Sequence, residues 1–223
     1  LKRETIIYEV PEDEVHDLKE IENIININKD LTHVLVVYCE TTSGILNPIK
    51  NIANLVVKKN LLLFIDAMSA FGALPLNSKN LTFEAVAASS NKCIQGVPGV
   101  GFVLCKKQII ENSKGNCHSL SLDLYDQWAA MKKNAQWRFT PPTHVLASFL
   151  QALKEHEKEG DTAGRLKRYN NNCKIICDGM KKLGFKQLLS DELQAPIIIT
   201  FMQPNHANFI FEKFYNKLSE RGF

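Results

Sequence analysis

The chain has 223 residues, of which 45% are hydrophobic and 23% are charged, as is usual for a folded globular protein. Its net charge of +3 is too small to indicate a nucleic-acid-binding surface. Its longest apolar runs, about six residues, are far shorter than the roughly 20 residues that a membrane-spanning helix needs. This length allows one large domain, or one domain and part of another.

Strand-like and helical segments alternate through the first half of the chain. Residues 5–10, 34–39, 61–65 and 83–88 are short, apolar or β-branched runs that predict strands. Apolar residues at helical spacing follow the acidic residues 12–14 and predict a first helix, and Pro48 opens a second helix. The apolar faces of the two predicted helices consist of Val15, Leu18, Ile21 and Ile25, and of Ile49, Ile52, Ala53 and Val56.

This alternation is typical of an α/β fold whose sheet is mainly parallel and covered on both faces. Residues 100–105 form one more apolar run, with no helix between them and the strand at 83–88. We therefore expect this last strand to return antiparallel to its neighbour.

The second half of the chain is predicted to be mostly helical, and we place a domain change there, dividing residues 1–141 from residues 142–223. Two helices are predicted, one ended by Gly160 and one capped by Gly184. A strand at 197–201 and a helix at 211–218 follow. The predicted apolar stripes are Leu146, Phe149, Leu150 and Leu153 in the first helix, and Leu166, Tyr169, Cys173, Ile176, Met180 and Leu183 in the second.

The six cysteines contain no CxxC pair. Cys173 and Cys177 lie four residues apart on a predicted helix, with no histidine close enough in sequence to indicate a zinc site. This usage favours a reduced, cytoplasmic protein without a structural metal. Because the chain does not begin with Met and stops where a helix ends, we expect a piece that is cut at both ends.

Polar clusters follow three of the predicted strands. Thr41 lies in the cluster 40–44, Asp66 begins the cluster 66–69, and Lys92 ends the cluster 89–92. Ligands of open α/β sheets bind beyond the carboxyl ends of the strands, so we expect these three residues to share one edge of the sheet.

Each cluster allows a catalytic and a structural interpretation. Poor solvation at a strand end would lower the pKa of Lys92 and make its amine a nucleophile, whereas a turn at the surface would leave an ordinary lysine. Asp66 could pair with a positive ring nitrogen or cap the next turn, and Thr41 could donate to a ligand or belong to a turn before Pro48. The glycines of residues 96–101 lack the spacing of a nucleotide-binding loop.

Five motifs carry a resemblance to a known family. They are CETTSGILNP at 39–48, DAMSAFG at 66–72, SNKCIQGVPG at 90–99, SLSLDLY at 119–125 and WRFTPPTH at 137–144. Together they resemble the fold-type I pyridoxal-phosphate aminotransferases of the alanine–glyoxylate and serine–glyoxylate branch. The resemblance implies that residues 1–141 are the C-terminal part of the cofactor-binding large domain. Residues 142–223 would be a linking helix and the first part of a small C-terminal α+β domain.

The resemblance also implies roles for individual residues. Lys92 matches the lysine that binds pyridoxal phosphate covalently and then moves the substrate proton, and Asp66 matches the aspartate that pairs with the ring nitrogen. The other matched cofactor-binding positions are Thr41 near the ring oxygen, Met68 on a ring face, Asn91 near the phosphate, and Thr140, which reaches the phosphate held by the second subunit of a homodimer.

Within this branch, the matched motifs imply transfer of an amino group from 2-aminoethylphosphonate to pyruvate, a step in phosphonate degradation. Transfer between a 2-amino acid and glyoxylate is the near alternative. In the family, a phosphate-binding cup and a stacking aromatic ring precede the segment matched here, and an arginine that binds the substrate's acidic group follows it. We therefore expect the 223-residue chain alone to lack activity, and a piece that serves only folding or dimerisation is the alternative of another class.

Overall fold

In a computed structural model that describes residues 3–223, four strands form one mixed sheet in the order β1-β2-β3-β4. The strands β1, β2 and β3 run parallel, and β4 runs antiparallel to β3, as the sequence predicts. The register places Val37 beside Asp66 and Ser89 beside Gly101. The strands are β1 at His33–Val37, β2 at Leu62–Asp66, β3 at Ala85–Ser89 and β4 at Gly101–Cys105.

Seven helices accompany this sheet within residues 3–223. The second one, α2, follows Pro48 and buries the predicted apolar face, on which Ile52 is 1% exposed and Val56 is 0% exposed. Both residues belong to a core formed with Leu63 and Ile65 of β2. The helices are α1 at Leu18–Ile27, α2 at Ile49–Lys58, α3 at Lys107–Glu111, α4 at Leu124–Asn134, α5 at Thr143–Glu159, α6 at Asp161–Lys182 and α7 at Phe211–Ser219.

Two predicted strands do not form. Residues 5–10 join no ladder among the described residues and are mostly exposed, so their strand-like pattern is not realised. Residues 197–201 make only one isolated bridge, between Gln187 and Phe201. The side-chain amide of Gln194 donates to the carbonyl of Ile198 at 2.6 Å, and a carbonyl bound in this way is less available to a neighbouring strand.

The predicted helices form, with corrections to their bounds and faces. The first begins at Leu18 rather than after the acidic residues, because the Asp17 carboxylate accepts from the backbone NH of Lys19 and caps it. In α5 the buried residues are Ala152 and His156, which lie outside the predicted stripe. Leu150 and Leu153 of that stripe are exposed, as are Ile176 and Leu183 of the stripe in α6.

Two helices were missed because they lack a buried apolar face. Neither α3 nor α4 contains a buried residue, so neither shows the periodicity from which a helix is predicted. The caps of α4 are nevertheless clear, since the Asp123 carboxylate accepts from Asp126 NH at 3.0 Å and Ala135 is left-handed with φ of 57°. The domain change at residue 142 coincides with the start of α5 and stays a prediction.

Among the described residues, no helix combines the length and the apolar composition that a bilayer crossing requires.

Candidate active site

The segments that follow β1, β2 and β3 lie side by side at one edge of the sheet. The backbone NH of Tyr38 donates to the Asp66 carbonyl at 2.8 Å, and the NH of Ala67 donates to the Ala87 carbonyl at 2.9 Å. Parallel pairing therefore continues just beyond the strands. The three polar clusters share this edge, which confirms the placement predicted from the strand ends.

Ser69 joins the three clusters through its side chain and its backbone. Its hydroxyl lies 2.9 Å from the hydroxyl of Thr41, and its carbonyl accepts from the thiol of Cys93 at 3.4 Å. Ser69 is 4% exposed and Cys93 is 3% exposed. Thr41, the turn after Asp66 and the residue after Lys92 are thus held together by one buried serine.

The Lys92 loop, residues 90–99, is a tight turn between β3 and β4. The Ser90 hydroxyl is fully buried and donates to the Val97 carbonyl at 2.8 Å. The NH of Gly96 donates to the Ser90 carbonyl, and the NH of Gln95 donates to the Lys92 carbonyl, both at 2.8 Å. Ser90 is buried and binds the far side of the loop, and the two residues that follow it, Asn91 and Lys92, are exposed to solvent.

Lys92 itself is exposed, which corrects the prediction that its amine is poorly solvated. The correction has a structural cause, because β3 ends at Ser89 and the turn begins before Lys92 is reached. Burial by residues 3–223 therefore does not make this lysine reactive. What distinguishes Lys92 from other exposed lysines is its position beside Thr41 and Ser69, with which it lines one cavity.

The structure confirms that Asp66 caps the turn after its strand, and its pairing with a ring nitrogen stays a prediction. Its Oδ1 atom accepts from the backbone NH of Met68 at 2.9 Å, so the carboxylate caps the turn after β2. The carboxylate is half-buried and keeps a second oxygen for another donor. Asp66 pairs with Ala87, and Ser89 lies two residues further along the same face of β3. The buried Ser89 hydroxyl has no partner within the described part of the chain.

A cavity of about 380 Å³ opens between the strand ends and the second half of the chain. Thr41, Ser69 and Lys92 line one side of it. The opposite side is formed by residues 196–199 and by four residues of α6 that the sequence interpretation did not assign to the site. The helical spacing of three of them was taken as a core stripe, and no local signal places any of the four opposite Lys92. The four α6 residues are Tyr169, Asn172, Cys173 and Ile176.

Four predicted site residues, Asp66, Met68, Asn91 and Thr140, lie outside the lining of this cavity. Met68 is half-buried in the turn capped by Asp66, and Asn91 is exposed in the Lys92 loop. Thr140 is exposed just before α5, away from the residues that line the cavity. The structure brings Met68 and Asn91 to the same sheet edge as Lys92 and does not bring Thr140 to the cavity.

The buried thiols near the site are poor nucleophiles. Burial raises the pKa of Cys93 to about 11 and the pKa of Cys39 to about 12. Residues 3–223 also contain no group of three or more acidic, histidine or cysteine side chains placed to hold a metal ion. The groups available for chemistry at this edge are the Lys92 amine, the Asp66 carboxylate and the Thr41 hydroxyl.

Comparison with protein families gives a match over nearly the whole chain. The model of the class-V aminotransferases matches residues 4–221. The 2-aminoethylphosphonate–pyruvate transaminase of Rhizobium meliloti (strain 1021) is 52% identical over 204 residues, 92% of this chain and 53% of that protein. Its counterpart in Pseudomonas putida (strain W619) is 44% identical over 223 residues, 100% of this chain and 61% of that protein. The chain thus spans little more than half the length of these relatives.

Several solved structures have an arrangement of strands and helices similar to that of this chain. An alanine–glyoxylate aminotransferase from Nostoc sp. superposes with a TM-score of 0.80 at 18% identity, covering 94% of this chain and 55% of that one. A pyridoxamine–pyruvate aminotransferase from Mesorhizobium loti superposes with a TM-score of 0.82 at 24% identity, covering 92% and 53%. Likeness at this level of identity concerns the fold, and it confirms the predicted fold-type I class.

Proposed function

Because this chain belongs to the class-V aminotransferase family, we propose that it carries the cofactor-binding lysine of a pyridoxal-phosphate aminotransferase. We propose further that the whole protein transfers the amino group of 2-aminoethylphosphonate to pyruvate, giving phosphonoacetaldehyde and alanine. The names of the relatives from Rhizobium meliloti and Pseudomonas putida support this choice of substrates. The observation that carries the proposal is the meeting of Lys92, Thr41 and the Asp66 turn at one sheet edge beside a cavity.

The side chains at this edge fit pyridoxal phosphate chemically. A primary amine can bind the cofactor's aldehyde carbon, a carboxylate can pair with its ring nitrogen, and a hydroxyl can donate to its ring oxygen. Lys92, Asp66 and Thr41 supply these three groups. The buried Ser89 hydroxyl, on the same face as Asp66 and without a partner in the described residues, supplies a fourth polar group.

The cofactor, when bound, supplies a ring that withdraws electrons from the substrate carbon bearing the amino group. Asp66 would hold the proton on the ring nitrogen, and its bond to Met68 NH would fix the direction of the carboxylate. Thr41 would be oriented by its hydrogen bond to Ser69. Nζ of Lys92 would move the proton from the substrate carbon to the cofactor carbon. Because Lys92 is exposed on a flexible stem, this nitrogen can reach both positions.

We propose that a second copy of the protein completes the site. Thr140 is exposed and lies away from the cavity of its own chain, which is compatible with a contact to the partner's cofactor phosphate. In a structure of the dimer, the Thr140 hydroxyl should lie nearer the partner's site than its own. A site in which Thr140 approaches the Lys92 of its own chain contradicts this part of the proposal.

The test of cofactor binding is covalent labelling of the whole purified protein. Pyridoxal phosphate is added, the adduct is reduced with borohydride, and the labelled lysine is found by peptide mass spectrometry. We expect the label on Lys92 ahead of other exposed lysines such as Lys107, whose side chain is 74% exposed. Lys92→Ala should remove the selective label, and Lys107→Ala is the matched control. Equal labelling of the two lysines in the unaltered chain would refute the assignment.

The substrates are tested by alanine formation from 2-aminoethylphosphonate and pyruvate in the whole protein. Turnover should disappear in the Lys92→Ala variant. Turnover of a 2-amino acid with glyoxylate, but not of 2-aminoethylphosphonate, would replace the proposed substrates with those of the related branch. A whole protein that binds the cofactor and transfers no amino group would instead support a role in folding or assembly only.

A further inference from the structure

The corner between α5 and α6 holds three charged side chains against the Lys92 loop. Glu159, the last residue of α5, accepts from Nε of Arg165 and from Nε of Arg168, both at 2.7 Å. We call these three residues the arginine clamp. The corner is tight because Gly164 lies against the end of α5, where a side-chain carbon would approach the Glu159 carbonyl to 1.8 Å.

Arg165 is the buried member of the arginine clamp. Its side chain is 2% exposed, and its Nη1 donates to the backbone carbonyl of Cys93, the residue after Lys92. A guanidinium removed from water in this way is retained only with partners for its charge and its hydrogen atoms. Glu159 supplies the charge, and the Lys92 loop supplies the acceptor.

Arg168 holds the same loop two residues further on. Its Nη2 donates to Oε1 of Gln95 at 3.0 Å, and Nε2 of Gln95 donates to the Tyr169 hydroxyl at 3.0 Å. Gln95 has a positive φ of 64°, a conformation that costs a non-glycine residue free energy. The two side-chain hydrogen bonds offset that cost and fix the loop against α6.

We propose that Arg165 is a positioning residue for Lys92, an inference that rests on the proposed cofactor-binding role of that lysine. The arginine clamp grips the backbone at Cys93 and the side chain of Gln95. It leaves the Lys92 side chain exposed at the cavity. The amine is thereby presented beside Thr41 from a fixed backbone while keeping the mobility that proton transfer needs.

The test compares Arg165→Met with Arg165→Lys in the whole purified protein. Methionine keeps an unbranched apolar stem, and Glu159 retains Arg168 as a partner, so the corner keeps its ion pair. The matched control is Arg221→Met, because Arg221 also donates to a backbone carbonyl, that of Lys217 at 2.9 Å, far from the loop in sequence.

The first readout is the ratio of reduced pyridoxal-phosphate label on Lys92 to that on Lys107. Removing a charge-assisted hydrogen bond should lower this ratio by about tenfold or more in Arg165→Met. Arg165→Lys should recover part of it, since an ammonium can still donate to the Cys93 carbonyl, and Arg221→Met should leave it unchanged. A general loss of stability would change the labelling of both lysines together, so an unaltered ratio in folded Arg165→Met overturns the inference.

The second readout is hydrogen exchange at the amides of Gln95 and Gly96, which close the loop internally. Exchange should be faster in Arg165→Met and unchanged in Arg221→Met, and equal rates in both variants would overturn the inference. This measurement needs no cofactor. If the unaltered chain shows no preference for Lys92, the proposed function fails while exchange still tests the clamp. If Arg165→Met does not fold, Arg165→Gln replaces it, because it also removes the charge, and an unchanged label ratio there counts equally against the inference.

Discussion

Asp66 has a structural role in its turn and a proposed electrostatic role towards the cofactor, and two substitutions separate them. Asp66→Asn keeps an Oδ1 atom that can accept from Met68 NH at the observed 2.9 Å, and it removes only the charge. Asp66→Ala removes the charge and the acceptor together. The turn hydrogen bond is worth about 1 kcal/mol. A carboxylate about 4 Å from a protonated ring nitrogen contributes roughly 4 kcal/mol at an effective dielectric of about 20.

These magnitudes predict two different patterns. In urea unfolding of the cofactor-free chain, Asp66→Asn should match the unaltered chain and Asp66→Ala should lose about 1 kcal/mol. In absorbance titrations with pyridoxal phosphate, both variants should bind roughly a thousandfold more weakly, the equivalent of about 4 kcal/mol. Wild-type affinity in Asp66→Asn would refute the electrostatic role and leave Asp66 as a turn cap only.

Three further predictions concern stability and thiol chemistry. Ile52→Ala should lower the free energy of unfolding by about 2–5 kcal/mol in urea titrations, because Ile52 is 1% exposed, while Ile175→Ala at 70% exposure should change it by less than about 0.5 kcal/mol. Exposed Cys117 should react with iodoacetamide near pH 8, as measured by mass-spectrometric mapping. Cys39 should stay unmodified, since burial raises its pKa to about 12. Modification of Cys39 at a rate similar to that of Cys117 would show that the core opens. Hydrogen bonds from its two arginine partners lower the pKa of Glu159 from 4.5 to about 2, so its stabilising contribution is complete above pH 4.5 and is lost as pH falls towards 2. The Glu159→Gln variant should lack that part of the pH dependence in unfolding measurements between those pH values, and an unchanged dependence would contradict the assignment.

The sheet and the convergence of its polar clusters could be predicted from the sequence because the signals are local. The buried face of α2 repeats at helical spacing, and the parallel strands are short apolar runs bounded by polar residues. Burial of alternate or periodic side chains needs no knowledge of distant residues. Since parallel strands end at one edge of their sheet, Thr41, Asp66 and Lys92 could be grouped before their contacts were known. Their proposed roles came from the resemblance to the family.

Predictions from local sequence pattern were wrong where the structure of a segment depends on a partner elsewhere in the chain. Residues 5–10 are β-branched and apolar, and a strand forms only if its backbone groups pair with another strand. Residues 197–201 show the same limit, because the Gln194 side chain binds the Ile198 carbonyl. The apolar residues of α6 were assigned to a core, and several of them instead face the cavity beside Lys92.

The sequence by itself determined the directions of the strands, the buried face of α2 and the edge of the sheet at which the polar residues meet. Only the tertiary structure decided that Lys92 is exposed and that its loop is held by Arg165, which lies 72 residues after Cys93 in the chain. The physical reason is that the spacing of apolar residues is a local property, which marks the face of a helix or strand that can be buried. A charged hydrogen bond between Arg165 and the Cys93 carbonyl depends instead on how the α5–α6 corner packs against the sheet, and no local pattern encodes that packing.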